Sequence, residues 1–193
     1  MLTYPLISRL QHPEASVRQS AYALLGDMAI SCHALSGFLP LYLPRIVKEI
    51  SDQVASPKMD EVSVCNNAAW AVGEVAMQCQ SNSPESAPSL KEHLKSHVPV
   101  LVESLIQILM SQSTPKSLLE NAAVTIGRLG LVYPDLVAVH LSTFGKTWCT
   151  VLWDIKDNDE KASAFMGFCQ LVMVNPHGML PVSAPLSPSH PCS

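Results

Sequence analysis

An excess of basic residues is missing from this chain: 12 Lys plus Arg stand against 16 Asp plus Glu, giving a formal net charge of -4 over 193 residues. Nucleic acid is bound through clustered cations, so that class of partner is not expected, and a basic partner is mildly favoured. Long apolar runs are missing too. The best candidate, residues 164–174, is broken by Gln170 and is far shorter than the roughly 20 residues a membrane-spanning helix needs. Membrane insertion is therefore not expected, and Met-Leu-Thr-Tyr-Pro-Leu at the start has neither the basic region nor the apolar stretch of a secretory signal. The cysteines (Cys32, Cys65, Cys79, Cys149, Cys169 and Cys192) show no CxxC spacing and no histidines at metal-ligand intervals. They read as reduced thiols of an intracellular protein, with no metal site. A Gly-x-Ser-x-Gly elbow, a Cys/His pair and a catalytic carboxylate pair are all absent, so neither an enzyme nor a cofactor is expected.

What is present is a repeat. Ser20-Ala-Tyr-Ala-Leu-Leu-Gly-Asp27, Asn67-Ala-Ala-Trp-Ala-Val-Gly-Glu74, Asn121-Ala-Ala-Val-Thr-Ile-Gly-Arg128 and Ser163-Ala-Phe-Met-Gly-Phe-Cys-Gln170 align without gaps. Their first position is small and polar, the second is always alanine, the sixth is apolar and the eighth is polar or charged. The aligned alanines (Ala21, Ala68, Ala122, Ala164) are 47, 54 and 42 residues apart, a spacing that brackets helix-pair repeats of the HEAT and armadillo type. The fold expected is an all-α solenoid of about four such pairs over residues 1–178, with an incomplete first repeat.

First helices are expected near 5–11, 39–53, 97–112 and 135–155, and second helices near 14–32, 60–80, 115–132 and 158–174. Pro115 at a helix start and Asn158 as a cap support these bounds, and no sustained period-two alternation predicts a strand. The long middle interval is assigned to a polar, proline-containing loop insertion at 81–95. Residues 179–193, rich in proline and serine, are expected to be a disordered tail. A chain that starts inside a helix pair and ends in such a tail without a polar cap reads as a fragment or truncated product.

Three constellations are set aside. Asp154-Ile-Lys-Asp-Asn-Asp-Glu160 lacks the glycine and the distant glutamate of a calcium loop; His93 and His97 have no third ligand; Gly127 and Gly130 sit late in a helix rather than after a strand. Trp70 is retained. On a helical wheel Cys65, Ala68, Ala69, Val72, Val75 and Ala76 share one face, whereas Trp70 falls on the polar face with Asn66, Asn67, Glu74 and Gln78. Two readings follow: a ridge-covering side chain between repeats, or an anchor on the inner wall for an extended peptide, in line with Ala23, Val124 and Met166. In the second, Asn66 and Asn121 meet the peptide backbone, and Glu74 meets its lysines and arginines.

Val64-Cys-Asn-Asn-Ala-Ala-Trp-Ala-Val-Gly-Glu74, Thr114-Pro-Lys-Ser-Leu-Leu-Glu-Asn-Ala-Ala-Val-Thr-Ile-Gly-Arg-Leu-Gly130, and Asp157-Asn-Asp-Glu-Lys-Ala-Ser-Ala-Phe-Met-Gly-Phe-Cys169 with its following Val-Asn-Pro-His-Gly also carry a resemblance. They resemble the C-terminal HEAT repeats of the transportins, nuclear import receptors (karyopherins) of the importin-β family, from about Gln11 to Gly178. The resemblance implies a segment that binds basic or hydrophobic proline-tyrosine nuclear localisation signals of protein cargo in cytoplasm and nucleus. It makes Trp70 the arch tryptophan, with Val62 and Val124 as aliphatic and Asn66 and Asn121 as amide positions beside it; Glu74 is added from the wheel alone. It also implies that contacts with Ran-GTP and nucleoporins, and the acidic loop that releases cargo, belong to a full-length receptor. The rival reading is a scaffold solenoid without import cargo.

Overall fold

A computed structural model describes residues 3–31, 38–80 and 87–180, with the side chains of residues 3, 4 and 87–89 left aside. Among the described residues there are helices and no strands. In chain order they are α1 (Thr3–Arg9), α2 (Ala15–Ser31), α3 (Leu43–Ala55), α4 (Val62–Gln78), α5 (Ala87–Lys95), α6 (Val98–Met110), α7 (Lys116–Val132), α8 (Pro134–Ala138), α9 (Leu141–Trp153) and α10 (Asp159–Val174), followed by a 3-10 turn at Pro176–Met179. The pairs α1/α2, α3/α4, α6/α7 and α9/α10 are the four repeats expected from the sequence. The four second helices stack on one another in order, and the first helices α3, α6 and α9 form the other layer.

The stack is held at short range because the repeat motif puts small residues on the seam. Ala68, Ala122 and Ala164 are fully buried and Ala21 nearly so. A Cβ on Gly127 would lie 2.6 Å from the Ala164 carbonyl oxygen, and one on Gly167 would run into the Gly127 carbonyl. These backbones touch, so glycine is the residue the approach allows. The first helices supply the bulk, with Ile46, Ile50, Leu101, Leu105, Phe144, Trp148 and Leu152 all inaccessible. Trp148 lies parallel to Phe168 at 4.2 Å between centroids, and its indole N–H donates to the Ala123 carbonyl at 2.7 Å.

Two expectations are corrected. Residues 87–95 of the supposed loop form helix α5, because Leu90 and Leu94, one turn apart, are both buried; residues 81–86 lie outside the described residues. The single helix expected over 135–155 is two, α8 and α9, with a turn at Val139–His140 that lets Val137, Ala138, Leu141 and Phe144 all reach the core. At α7, Pro115 is the cap residue and Lys116 the first helical residue. Asn158 caps α10 as expected, its side chain accepting from the Lys161 N–H at 2.8 Å. Met179 belongs to the 3-10 turn, and residues 181–193 of the expected tail lie outside the described residues.

Candidate functional site

Trp70 stands in the middle of α4 and is half-buried. Its six-membered ring lies directly over Gly26 of α2, where any Cβ would collide with it. Its indole N–H donates to Glu160 Oε1 at 2.9 Å, in the first turn of α10. The contact skips α7. Helices packed at about 8–10 Å put α4 and α10 roughly 16–20 Å apart, a gap that the long Trp70 and Glu160 side chains span by reaching toward each other past α7. The indole is thus in contact with the preceding repeat on one side and with the fourth on the other.

The amides around it are occupied. Asn121 donates from Nδ2 to Asn66 Oδ1 at 3.1 Å and more weakly to the Asn66 carbonyl at 3.4 Å. Asn67, at the same repeat position as Asn121, donates to the Gln19 carbonyl at 3.0 Å. Gln19 and Asn66 are themselves equivalent, so one bond recurs at two successive seams. Thr125 adds a third, from Oγ1 to the Ala69 carbonyl at 2.8 Å. Side-chain bonds of this kind satisfy helix groups that the close approach removes from water.

The remaining residues named from sequence fall in different places. Val124, at the Trp70 position of the next repeat, is 4% exposed and belongs to the core, so the row Ala23, Trp70, Val124, Met166 is not an open stripe. Val62 lines a cavity of about 170 Å³ between the ends of α3 and α6 and the starts of α4 and α7, with Val54, Met59, Ile108 and Leu118. Glu74 corrects the wheel: it is buried, its Oε1 accepts from Arg128 Nη1 at 2.5 Å, and Arg128 Nε donates to Ser163 Oγ at 3.0 Å. Its carboxylate is taken by the adjacent repeat rather than offered to a ligand. The physical reason is that α4 has a neighbour on nearly every side, which a wheel drawn for one helix does not represent.

Sequence reasoning missed Glu160, although a signal was present. Three residues before the aligned polar position stand Val17, Val64, Leu118 and Glu160: apolar in three repeats, acidic in the fourth. Other acids stand close by in sequence, with Asp27 exposed beside Gly26 and Glu120 beside Asn121 bonded at 3.6 Å to Lys116. The cysteine environments suit packing: desolvation, with a contribution from the Glu49 charge, pushes the Cys65 thiol up to about 12, and desolvation pushes Cys79 up to about 11. His97 is held below the usual imidazole range by burial first and by His93 second. Among the described residues no group of His, Cys, Asp and Glu is arranged for a metal, and no helix is long and apolar enough to cross a membrane.

The architecture and this seam define a class: an all-α helical-repeat solenoid in which side chains from successive second helices meet along one wall. Within that class the chain is homologous to the transportin and importin β-2 proteins along a segment of their length. It is 38% identical over 176 residues to transportin-1 of Homo sapiens, covering 89% of this chain and 17% of that protein. It is 40% identical over 163 residues to importin subunit beta-2 of Schizosaccharomyces pombe, covering 84% of this chain and 16% of that one. Transportin-1 of Oryza sativa subsp. japonica is 40% identical over 166 residues, or 85% of this chain and 17% of the relative. The chain therefore spans about a sixth of the length of these curated relatives, which are nuclear import receptors. No family model matches the sequence.

Proposed function

We propose that this chain is a signal-binding segment of the import-receptor class, corresponding to C-terminal HEAT repeats, and that Trp70 is its anchor for nuclear localisation signals of protein cargo. The observation that carries the reading is the state of the indole: ordered by a carboxylate and backed by Gly26, yet only half-buried. A rigid, partly accessible aromatic loses little conformational entropy on binding and is the kind of residue that dominates interface energetics. The acid at the indole, Glu160, with Asp27 exposed next to Gly26 in sequence, favours lysine and arginine in the ligand, so a basic and hydrophobic signal of the proline-tyrosine type fits. Val62, Asn66, Asn121 and Val124 act mainly by shaping the wall on which the anchor stands. Such cargo places the chain in cytoplasm and nucleus; contacts with Ran-GTP and nucleoporins are assigned to other segments of a full-length receptor.

The second reading is a scaffold solenoid in which Trp70 only packs. The close contact with Gly26 and the satisfied indole N–H favour it. Titration of a fluorescein-labelled peptide with basic and hydrophobic residues ahead of a Pro-Tyr pair separates the two. The cargo reading expects Trp70→Ala to weaken binding by about 30-fold, the effect of losing an anchor of about 2 kcal/mol. Equal affinity in the variant, with far-UV circular dichroism unchanged, leaves only the scaffold.

A further inference from the structure

The contact between Trp70 and Glu160 joins the second and fourth repeats, and nothing in the repeat pattern demands it. At the equivalent positions Val17 is half-buried and Val64 and Leu118 are buried as core residues. In the fourth repeat that place is held by a partly buried carboxylate. Its Oε1 receives the indole N–H at 2.9 Å, a geometry well inside the range for a charge-assisted bond. Its backbone carbonyl is separately used, accepting from Ser163 Oγ at 2.8 Å, and Ser163 in turn accepts from Arg128 Nε at 3.0 Å. The first turn of α10 is therefore tied to α7 through Ser163 and Arg128, and to α4 through Glu160.

We propose that Glu160 is the positioning residue of the Trp70 anchor. It fixes the indole over Gly26 and makes the anchor's orientation depend on where α10 sits relative to α4. When α10 moves away from α4 the bond is lost, and the indole is released to rotate from Gly26. When α10 stays in place, the ring is presented in one orientation. A ligand that binds the ordered ring then favours the bridged arrangement of α4 and α10 by the same factor, because the two equilibria are linked. This deepens the cargo reading and rests on it for its functional consequence, while the positioning itself is a property of the free protein.

The test uses the full 193-residue chain, labelled with ¹⁵N, with the Trp70 indole resonance identified by its loss in Trp70→Phe. In Glu160→Ala the Trp70 indole proton is expected to move upfield and to exchange with solvent about tenfold faster, the effect of losing one hydrogen bond to a charged group. The Trp148 indole, bonded to the Ala123 carbonyl, is expected to stay in place. Glu160→Gln, whose amide oxygen still accepts, is expected to restore much of the resonance position. Affinity for the labelled Pro-Tyr peptide is expected to fall about 3- to 10-fold in Glu160→Ala and less in Glu160→Gln, as preorganisation of the ring is lost. An unmoved Trp70 resonance in Glu160→Ala overturns the proposal. So does an equal displacement of the Trp148 resonance, which marks general loosening, and so does a moved Trp70 resonance with unchanged peptide affinity. If the unmodified chain binds no peptide, the cargo reading fails, and the indole resonances still decide whether Glu160 positions Trp70.

Discussion

Replacing Glu74 by alanine removes one half of a buried ion pair and leaves the other half largely shielded from water. The Glu74 and Arg128 side chains are 10% and 6% exposed, and the Oε1 to Nη1 separation is 2.5 Å. Arg128 has one other protein partner at this end, Ser163 Oγ at 3.0 Å, which is neutral and cannot balance a guanidinium. Two unit charges about 4 Å apart attract by about 4 kcal/mol at an effective dielectric of about 20. Burying each ion costs several kcal/mol, so the intact pair contributes little net stability. Removing one partner is different: the desolvation cost of the other remains and the attraction is gone, a loss of about 3–5 kcal/mol. At roughly 2–4 °C per kcal/mol for a chain of this size, Glu74→Ala is expected to lower the melting temperature by about 6–20 °C. Urea denaturation followed by circular dichroism gives the free energy, and Arg128→Leu should cost a similar amount. The double variant Glu74→Ala with Arg128→Leu should cost far less than the sum of the two single losses, because both charges leave together. A loss below about 1 kcal/mol in either single variant, or additive losses in the double, would refute this account. Because the Glu74 carboxylate is taken by Arg128, a folded Glu74→Gln chain should bind the labelled peptide as the unmodified chain does.

Gly167→Ala puts a methyl group onto the Gly127 carbonyl, and backbone cannot yield as a side-chain end can. Overpacking of about 1–3 kcal/mol should exceed the helix-propensity gain of up to about 1 kcal/mol, so urea denaturation should show net destabilisation; a stabilised variant would sink the close-seam argument. Thiol titration with an aromatic disulfide reagent at neutral pH should label exposed Cys169 well before Cys65 and Cys79, which react only on unfolding. Burial raises these two thiols from an ordinary 9.0 to about 12 and about 11, so the folded chain keeps protons that the unfolded chain releases. Their contribution to stability is full below about pH 9 and is lost as pH rises from there toward 11 and 12. A melting temperature that climbs through that range would contradict it.

The repeat was legible because its constraint is local and recurs: four alanines at one position, with glycine five residues on in three of the four repeats, are what close helix stacking needs. Helix α5 was not legible. Its two buried leucines sit among Ser, Lys, Glu and His, and a polar stretch with proline reads as loop until a core is present to receive Leu90 and Leu94. The site was half legible for a related reason. The wheel marks Trp70 as out of place but treats α4 as having one buried side, whereas Val62, Val64, Cys65, Ala71 and Glu74 are buried on several. Glu74 and Arg128 occupy the eighth position of successive repeats with opposite charge, which is the pattern of a bond across the seam. Comparing positions between repeats, rather than around one helix, is the reading that finds both this pair and Glu160.

The same register that makes the seam also decides what is left for a ligand. Amides at the first repeat position bond to the preceding helix, as Asn67 does to Gln19 and Asn121 to Asn66, so they cannot also serve as a free ladder for a peptide backbone. The charged eighth position is likewise closed between Glu74 and Arg128. What the packing leaves open here is the accessible part of the half-buried Trp70 ring and the exposed Asp27. On the proposed cargo reading, such a wall selects for an apolar side chain with a cation beside it and places few demands on the backbone in between. Signals that differ in sequence but keep that pairing are then expected to bind with similar affinity, and the geometry of Trp70, set from a helix two places along the stack, becomes the quantity on which all of them depend.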